Sequence, residues 1–162
     1  MYYSAPINIR QTAATAANST VWAMRNAAAS TRTVIIEKIE LMMAFDSATP
    51  ATRSTQRYDL IRFSTATPTA GTAITVAQMF SGDPSTQVTD VRFLDTGLTT
   101  TGVVLNSPFA TIGCPATDAT TTKYQRQGPP LFLAAGEGLC IRLNTAAVIG
   151  QSVTGEIVWS EV

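Results

Sequence analysis

The chain contains no histidine. Imidazole is therefore missing from any triad, dyad or zinc site that its many hydroxyls would otherwise suggest. Lysine is nearly as scarce: Lys38 and Lys123 stand alone, and no Ser-x-x-Lys motif occurs. Charge of both signs is thin, with 11 Lys and Arg against 11 Asp and Glu. The charged fraction is 14%, where about 25% is usual for a soluble domain. No basic run is present, which excludes the electrostatic footprint of a general nucleic-acid binder. Cys114 and Cys140 are the only cysteines. Nothing points to an oxidising compartment, so both are expected as free thiols, with Cys140 a small buried hydrophobe inside Leu139-Cys140-Ile141. No window reaches the roughly 18 apolar residues of a membrane helix, because Glu37, Lys38 and Glu40 break the densest run, Val34 to Phe45. The start, Met1-Tyr2-Tyr3-Ser4-Ala5-Pro6, lacks the basic residue and apolar stretch of a secretory leader.

The acidic residues offer little chemistry. Glu37 and Glu40 form the one close pair, and an odd separation on a strand sends them to opposite faces. Asp83, Asp90 and Asp95 match no calcium loop. Gly136-Glu137-Gly138 lacks the length and lysine of a phosphate loop and reads as a hairpin corner. No catalytic residue, metal or cofactor is expected, and the protein is read as a non-enzyme.

What is abundant is threonine, 26 residues, and alanine, 23. Thr suits a pleated surface and hydrogen-bonds without charge. A surface of Thr, Ser, Asn and Gln leaves little repulsion between copies and tolerates dense packing. The 162 residues amount to one domain of ordinary size. Strand patterns recur over Val21–Arg25, Thr33–Phe45, Arg57–Ser64, Val88–Leu94, Thr99–Leu105, Phe109–Ile112, Leu131–Leu133, Leu139–Leu143 and Ser152–Val162. Residues 72–80 fit a short helix, a strand or an irregular segment. Residues 113–127 read as a Thr-rich loop. Gly, Pro and Thr punctuate the strands at the spacing of an antiparallel sandwich or barrel. The expected fold is an all-β antiparallel sandwich over residues 20–162. Residues 1–19 are expected as an extended arm ordered by a neighbour; a first edge strand over Ala5–Arg10 is the alternative.

Residues 33–45 and 57–63 carry apolar side chains on both faces, where a sandwich strand should alternate. The second face of each must meet a loop, an arm or another subunit, and a homo-oligomer would bury it in every copy. Aromatic residues often dominate interfaces. Tyr2, Tyr3, Ile7 and Trp22 are the expected anchors, with Tyr58 and Arg62 beside them. Arg62, Arg92 and Arg142 are expected either to pair with Asp59 or Glu156 or to face solvent.

The run Gly128-Pro129-Pro130-Leu131-Phe132-Leu133-Ala134-Ala135-Gly136-Glu137-Gly138-Leu139-Cys140-Ile141-Arg142-Leu143, closing with Gly155-Glu156-Ile157-Val158-Trp159-Ser160-Glu161, resembles the end of many small tailed-phage virion proteins. Ala73 to Met79, Asp95 to Gly102, and Glu37-Lys38-Ile39-Glu40 leading to Tyr58 to Phe63 are similar to the same group. The resemblance spans roughly residues 30–162 and leaves the arm uncovered. It implies a jelly-roll-like sandwich that decorates or cements a capsid across junctions of shell subunits, often as a trimer at a lattice axis. The implied partners are the chain itself and the major capsid protein, with no membrane. The implied location is the virion's capsid surface, after synthesis in the host cytoplasm. The alternative function is a receptor-binding tip of a tail fibre; a sugar-binding sandwich is a third.

Overall fold

Alternation of core-facing and solvent-facing side chains organises the strand Tyr2–Arg10 and much of Gln151–Glu161, while Thr20–Asn26 and Gly138–Leu143 are buried almost throughout. The computed structural model describes residues 1–11, 15–45, 56–65, 67–98, 103–114, 122–146 and 150–162. Among them the chain forms thirteen strands and no helix. In chain order these are β1 Tyr2–Arg10, β2 Thr20–Asn26, β3 Val34–Phe45, β4 Gln56–Thr65, β5 Thr72–Ala73, β6 Ala77–Gln78 and β7 Val88–Leu98. They continue with β8 Val103–Leu105, β9 Ala110–Cys114, β10 Thr122–Gln125, β11 Leu131–Leu133, β12 Gly138–Leu143 and β13 Gln151–Glu161.

The pairings nest. β1 pairs β13, β2 pairs β12, β3 pairs β10 and β11, and β4 pairs β8 and β9, all antiparallel. Two further pairings, β13 with β3 and β12 with β4, draw this ribbon into two sheets. The first sheet runs β10–β3–β13–β1–β6, with β11 also on β3; the second runs β5–β7–β2–β12–β4–β8, with β9 also on β4. The sheets pack together as an antiparallel β-sandwich.

The core between them comes from alternate residues of both sheets. Tyr3, Ile7, Ile9, Ile39, Leu41, Val153, Ile157 and Trp159 from the first meet Trp22, Met24, Tyr58, Leu60, Leu139 and Ile141 from the second. Tyr3 and Trp159 stack with ring centroids 6.0 Å apart. Two glycines permit close approaches. A Cβ on Gly138 would meet the Phe63 ring at 2.2 Å, and one on Gly155 would meet the Glu40 carbonyl oxygen at 2.0 Å. Gly136 takes a φ of +80° at the turn between β11 and β12, as a glycine there should; the hairpin expected there is instead a crossing between sheets, since β11 pairs β3 and β12 pairs β2 and β4.

The expectation of an arm over residues 1–19 is overturned for its first half. Tyr2–Arg10 is a strand of the first sheet, in register with β13 from Tyr2↔Ser160 to Arg10↔Ser152. Its inward side chains, Tyr3, Ala5, Ile7 and Ile9, are all in the core. The segment has a period of two, so it orders against its own chain. Pro6 fits because β6 covers only Tyr3 and Ser4; beyond them that side of β1 is an edge and needs no donor. Residues 72–80 hold the short strands β5 and β6, and the loop expected over 113–127 contains β10. Residues 47–52, whose sequence reads as a loop, and Gly102, which reads as a bulge, lie outside the described residues.

The segment after β6 ties the two sheets together along the β1 side. Tyr3 Oη donates to the Pro84 carbonyl at 2.7 Å, and the Tyr2 amide donates to Asp83 at 3.1 Å. The buried Glu161 carboxylate accepts from the Gln87 amide at 2.9 Å, from the Thr86 hydroxyl, and from Arg32 at 3.2 Å. Burial, with the Glu161 and Asp83 carboxylates nearby, pushes the Tyr3 phenol above its ordinary value.

Ile7→Ala should therefore lower the free energy of unfolding by about 2–5 kcal/mol, as large-to-small core changes do. Removing residues 1–10 should abolish the cooperative urea transition. A truncated chain that still unfolds cooperatively would return β1 to the status of an accessory.

Candidate interaction surface

The outer faces of the two sheets differ in kind. That of the second sheet is closed by its own chain. Ala23, Ile61, Phe63 and Cys140 form a second apolar cluster there, joined by Leu94 and Leu105, and each of the four is no more than 1% exposed. Of the covers expected for the second face of residues 57–63, the chain itself supplies it and another subunit is not needed: β4 is covered on both sides within one molecule. Burial pushes the Cys140 thiol up to about 12, and the residue is a free, buried cysteine as expected.

Beside this cluster lies a buried carboxylate, Asp59. It accepts hydrogen bonds from Thr111 Oγ1 at 2.7 Å, Asn144 Nδ2 at 3.0 Å and Arg142 at 3.2 Å. Burial alone would raise its pKa, but these three donors and the guanidinium charge outweigh it and hold the carboxyl below the ordinary aspartate value. Arg142 thus takes the expected partner. Arg62 pairs instead with Glu137 at 2.8 Å, and Arg92 lies 3.8 Å from Asp90.

The outer face of the first sheet is open. On β3, Ile36 and Ile39 are both in the core, and the register with β13 skips between Val158↔Lys38 and Trp159↔Ile36. This bulge leaves both Glu37 and Lys38 outward, so Glu37 and Glu40 lie on the same face rather than on opposite ones. Glu37 accepts from Ser160 Oγ at 2.7 Å. Lys38 bridges Glu40 and Glu156, each at 2.7 Å, and Lys123 reaches Glu40 at 2.7 Å. Hydrogen bonds from Lys123 and Lys38 hold the Glu40 carboxyl down to about 2, and those to Glu156 and Glu40 raise Lys38 above its ordinary value. Glu156, expected as an arginine partner, pairs with lysine. A groove of about 300 Å³ runs between these charges, lined by Glu40, Met42, Lys123, Thr154, Gly155 and Glu156.

Large apolar side chains border the same face. Tyr2, Met42, Met79, Phe80 and Phe132 are between 43% and 60% exposed. Tyr2 and Phe80 make an edge-to-face contact at 6.0 Å, and the Met79 amide donates to the Tyr2 carbonyl at 2.9 Å. Phe132 sits opposite Ile35 on the outward side of β11.

Of the residues expected at an interface, the structure leaves only Tyr2 well exposed. Tyr3, Ile7, Trp22 and Tyr58 are core residues, at most 2% exposed, and Arg62 is half-buried against Glu137. Those four are corrected from interface anchors to core: in a sandwich, the large residues of inward register fill the space between the sheets. The exposed set, Met42, Met79, Phe80 and Phe132, went unassigned. Its signal is register. Met42 falls out of step with Ile39, Leu41 and Met43, and Phe132 falls out of step with Leu131 and Leu133.

Among the described residues, no group of three or more His, Cys, Asp or Glu side chains is placed to hold a metal ion. No family model, curated protein or solved structure matches the chain.

Asp59→Asn should cost about 1–3 kcal/mol near neutral pH, the range for hydrogen bonds to a charged group. Because the folded carboxyl titrates below the unfolded one, its contribution is complete above about pH 4 and fades as pH falls through the folded value. Urea unfolding of both proteins at stepped pH should show the gap closing in acid; a gap constant from neutral pH to strong acid would refute the assignment.

Proposed function

We propose that this protein is a non-enzymatic structural component of a phage virion that decorates or cements the capsid by binding across junctions of shell subunits. The observation that carries the reading is the nested pairing. A ribbon whose first strand pairs its last, its second the next to last, and so inward to β4 with β8 and β9, has the strand order of a jelly roll. That architecture recurs in viral capsid and lectin domains. We infer that this sandwich is one, with β5, β6 and β7 inserted along the β1–β2 side.

Three further features support the reading. The short motifs of residues 30–162 resemble those of small tailed-phage virion proteins. The chain is rich in Thr and carries no net charge, which suits crowding in a lattice. One sheet face is sealed and the other is open. The proposed mechanism is mechanical: each copy adds contact area at a shell junction, and many equal contacts in one lattice act together. The correction to residues 2–10 removes the free arm from this mechanism, and attachment falls to the folded surface.

The test uses phage capsids prepared without the protein. Added purified chain should co-sediment with them and saturate at a copy number that is a multiple of the lattice, counted by gel densitometry. Saturation at a few copies per particle would favour the fibre-tip reading, and no binding would reject both.

A further inference from the structure

We propose that the outer face of the β10–β3–β13–β1–β6 sheet is the surface on which a second copy of this chain docks. The inference concerns the free protein and goes beyond the capsid reading; it holds or fails on its own.

The distribution of exposed apolar side chains carries it first. Among the described residues, every exposed large hydrophobic side chain belongs to this sheet or lies within two residues after one of its strands. Tyr2 is on β1, Met42 on β3, Phe132 on β11, Met79 and Phe80 follow β6, and Val162 follows β13. The other sheet contributes none, because its outer apolar cluster is already covered. Six such residues on or beside one sheet exceed the scattered singles of an ordinary surface.

Charge selects the occupant. The open face carries Lys38, Lys123 and Arg10 against Glu37, Glu40 and Glu156, and the two lysines satisfy Glu40 and Glu156 through the contacts at 2.7 Å. The face therefore presents no excess of one sign to attract an oppositely charged partner. A second copy brings the same balanced pattern and meets no like-charge field, and the chain as a whole is neutral, 11 against 11. Self-complementarity of this kind is what contact between identical patches requires.

Area agrees. The sheet's six strands hold 41 residues, and at about 4.8 Å between strands and about 3.3 Å per residue they present roughly 650 Å². Stable associations use roughly 600–1,000 Å² on each partner. The central groove offers a recess for a protruding side chain of the facing copy.

Sedimentation velocity across a concentration series up to about 100 µM, a range that detects micromolar association, tests the proposal on the full chain. The wild type should self-associate. The double variant Met42→Glu/Phe132→Glu should dissociate at least about tenfold more readily, as loss of central apolar contacts does, while keeping the wild-type circular dichroism spectrum. Ser107→Glu, exposed on the loop after β8, should associate like the wild type. If the double variant misfolds, Phe80→Ser replaces it, since Phe80 lies outside the core. Association should also survive about 0.5 M NaCl, because the ion pairs close within each face rather than across it. A wild type that is monomeric throughout would overturn the proposal. So would association that the face variants leave unchanged, or that salt abolishes.

Discussion

The pairing of β1 with β13 is the constraint on which the rest of the molecule depends. β13 is central to the first sheet, with β1 on one side and β3 on the other. Its inward side chains, Val153, Ile157 and Trp159, form the floor on which the second sheet rests. Joining Tyr2–Arg10 to Gln151–Glu161 closes a loop of nearly the whole chain, at an entropy cost that grows only slowly with loop length. Once this outermost rung is in place, each inner rung closes a shorter loop. The stack of Tyr3 on Trp159 and the hydrogen bonds gathered on Glu161 then tie the connection between β6 and β7 to the same rung.

The two outer faces share a strand pattern but differ in what covers them. On β4 the outward Ile61 and Phe63 disappear beneath their own chain, with Gly138 making room for the Phe63 ring. On β3 a bulge turns Glu37 and Lys38 outward together, and the face becomes a lattice of short ion pairs with apolar residues around it. These exposed ion pairs add little to stability. Their effect is on what the surface will accept, since they leave it neutral.

Strands dense in apolar residues are legible in the sequence. β3, β4, β12 and β13 follow their apolar residues closely, and the two faces of residues 57–63 divide as their sequence implies. β1 carries the same period in Tyr3, Ala5, Ile7 and Ile9, but small Ala5 and the intervening Pro6 and Asn8 weaken it beneath the Ala- and Thr-rich residues that follow. β10 carries a single apolar side chain, Tyr124, among polar neighbours, so local pattern had nothing to reveal. The open face was hidden for a different reason. Whether Ile61 or Met42 ends up covered depends on what folds over each sheet, and no local window contains that information. Large aromatic residues drew attention as contact anchors, yet Trp22 and Tyr58 are large because they fill the space between sheets.

The nested order also sets a timetable for synthesis. The middle strand of the first sheet belongs to the last segment of the described chain to leave the ribosome, while Val34 to Phe45, its neighbour, has emerged more than a hundred residues earlier. Until residues 151–161 arrive, that apolar strand has no partner on its central side and the first strand has no sheet to join. Folding is thus delayed until translation of this region is complete, and the nascent chain carries a sticky, unpaired edge throughout.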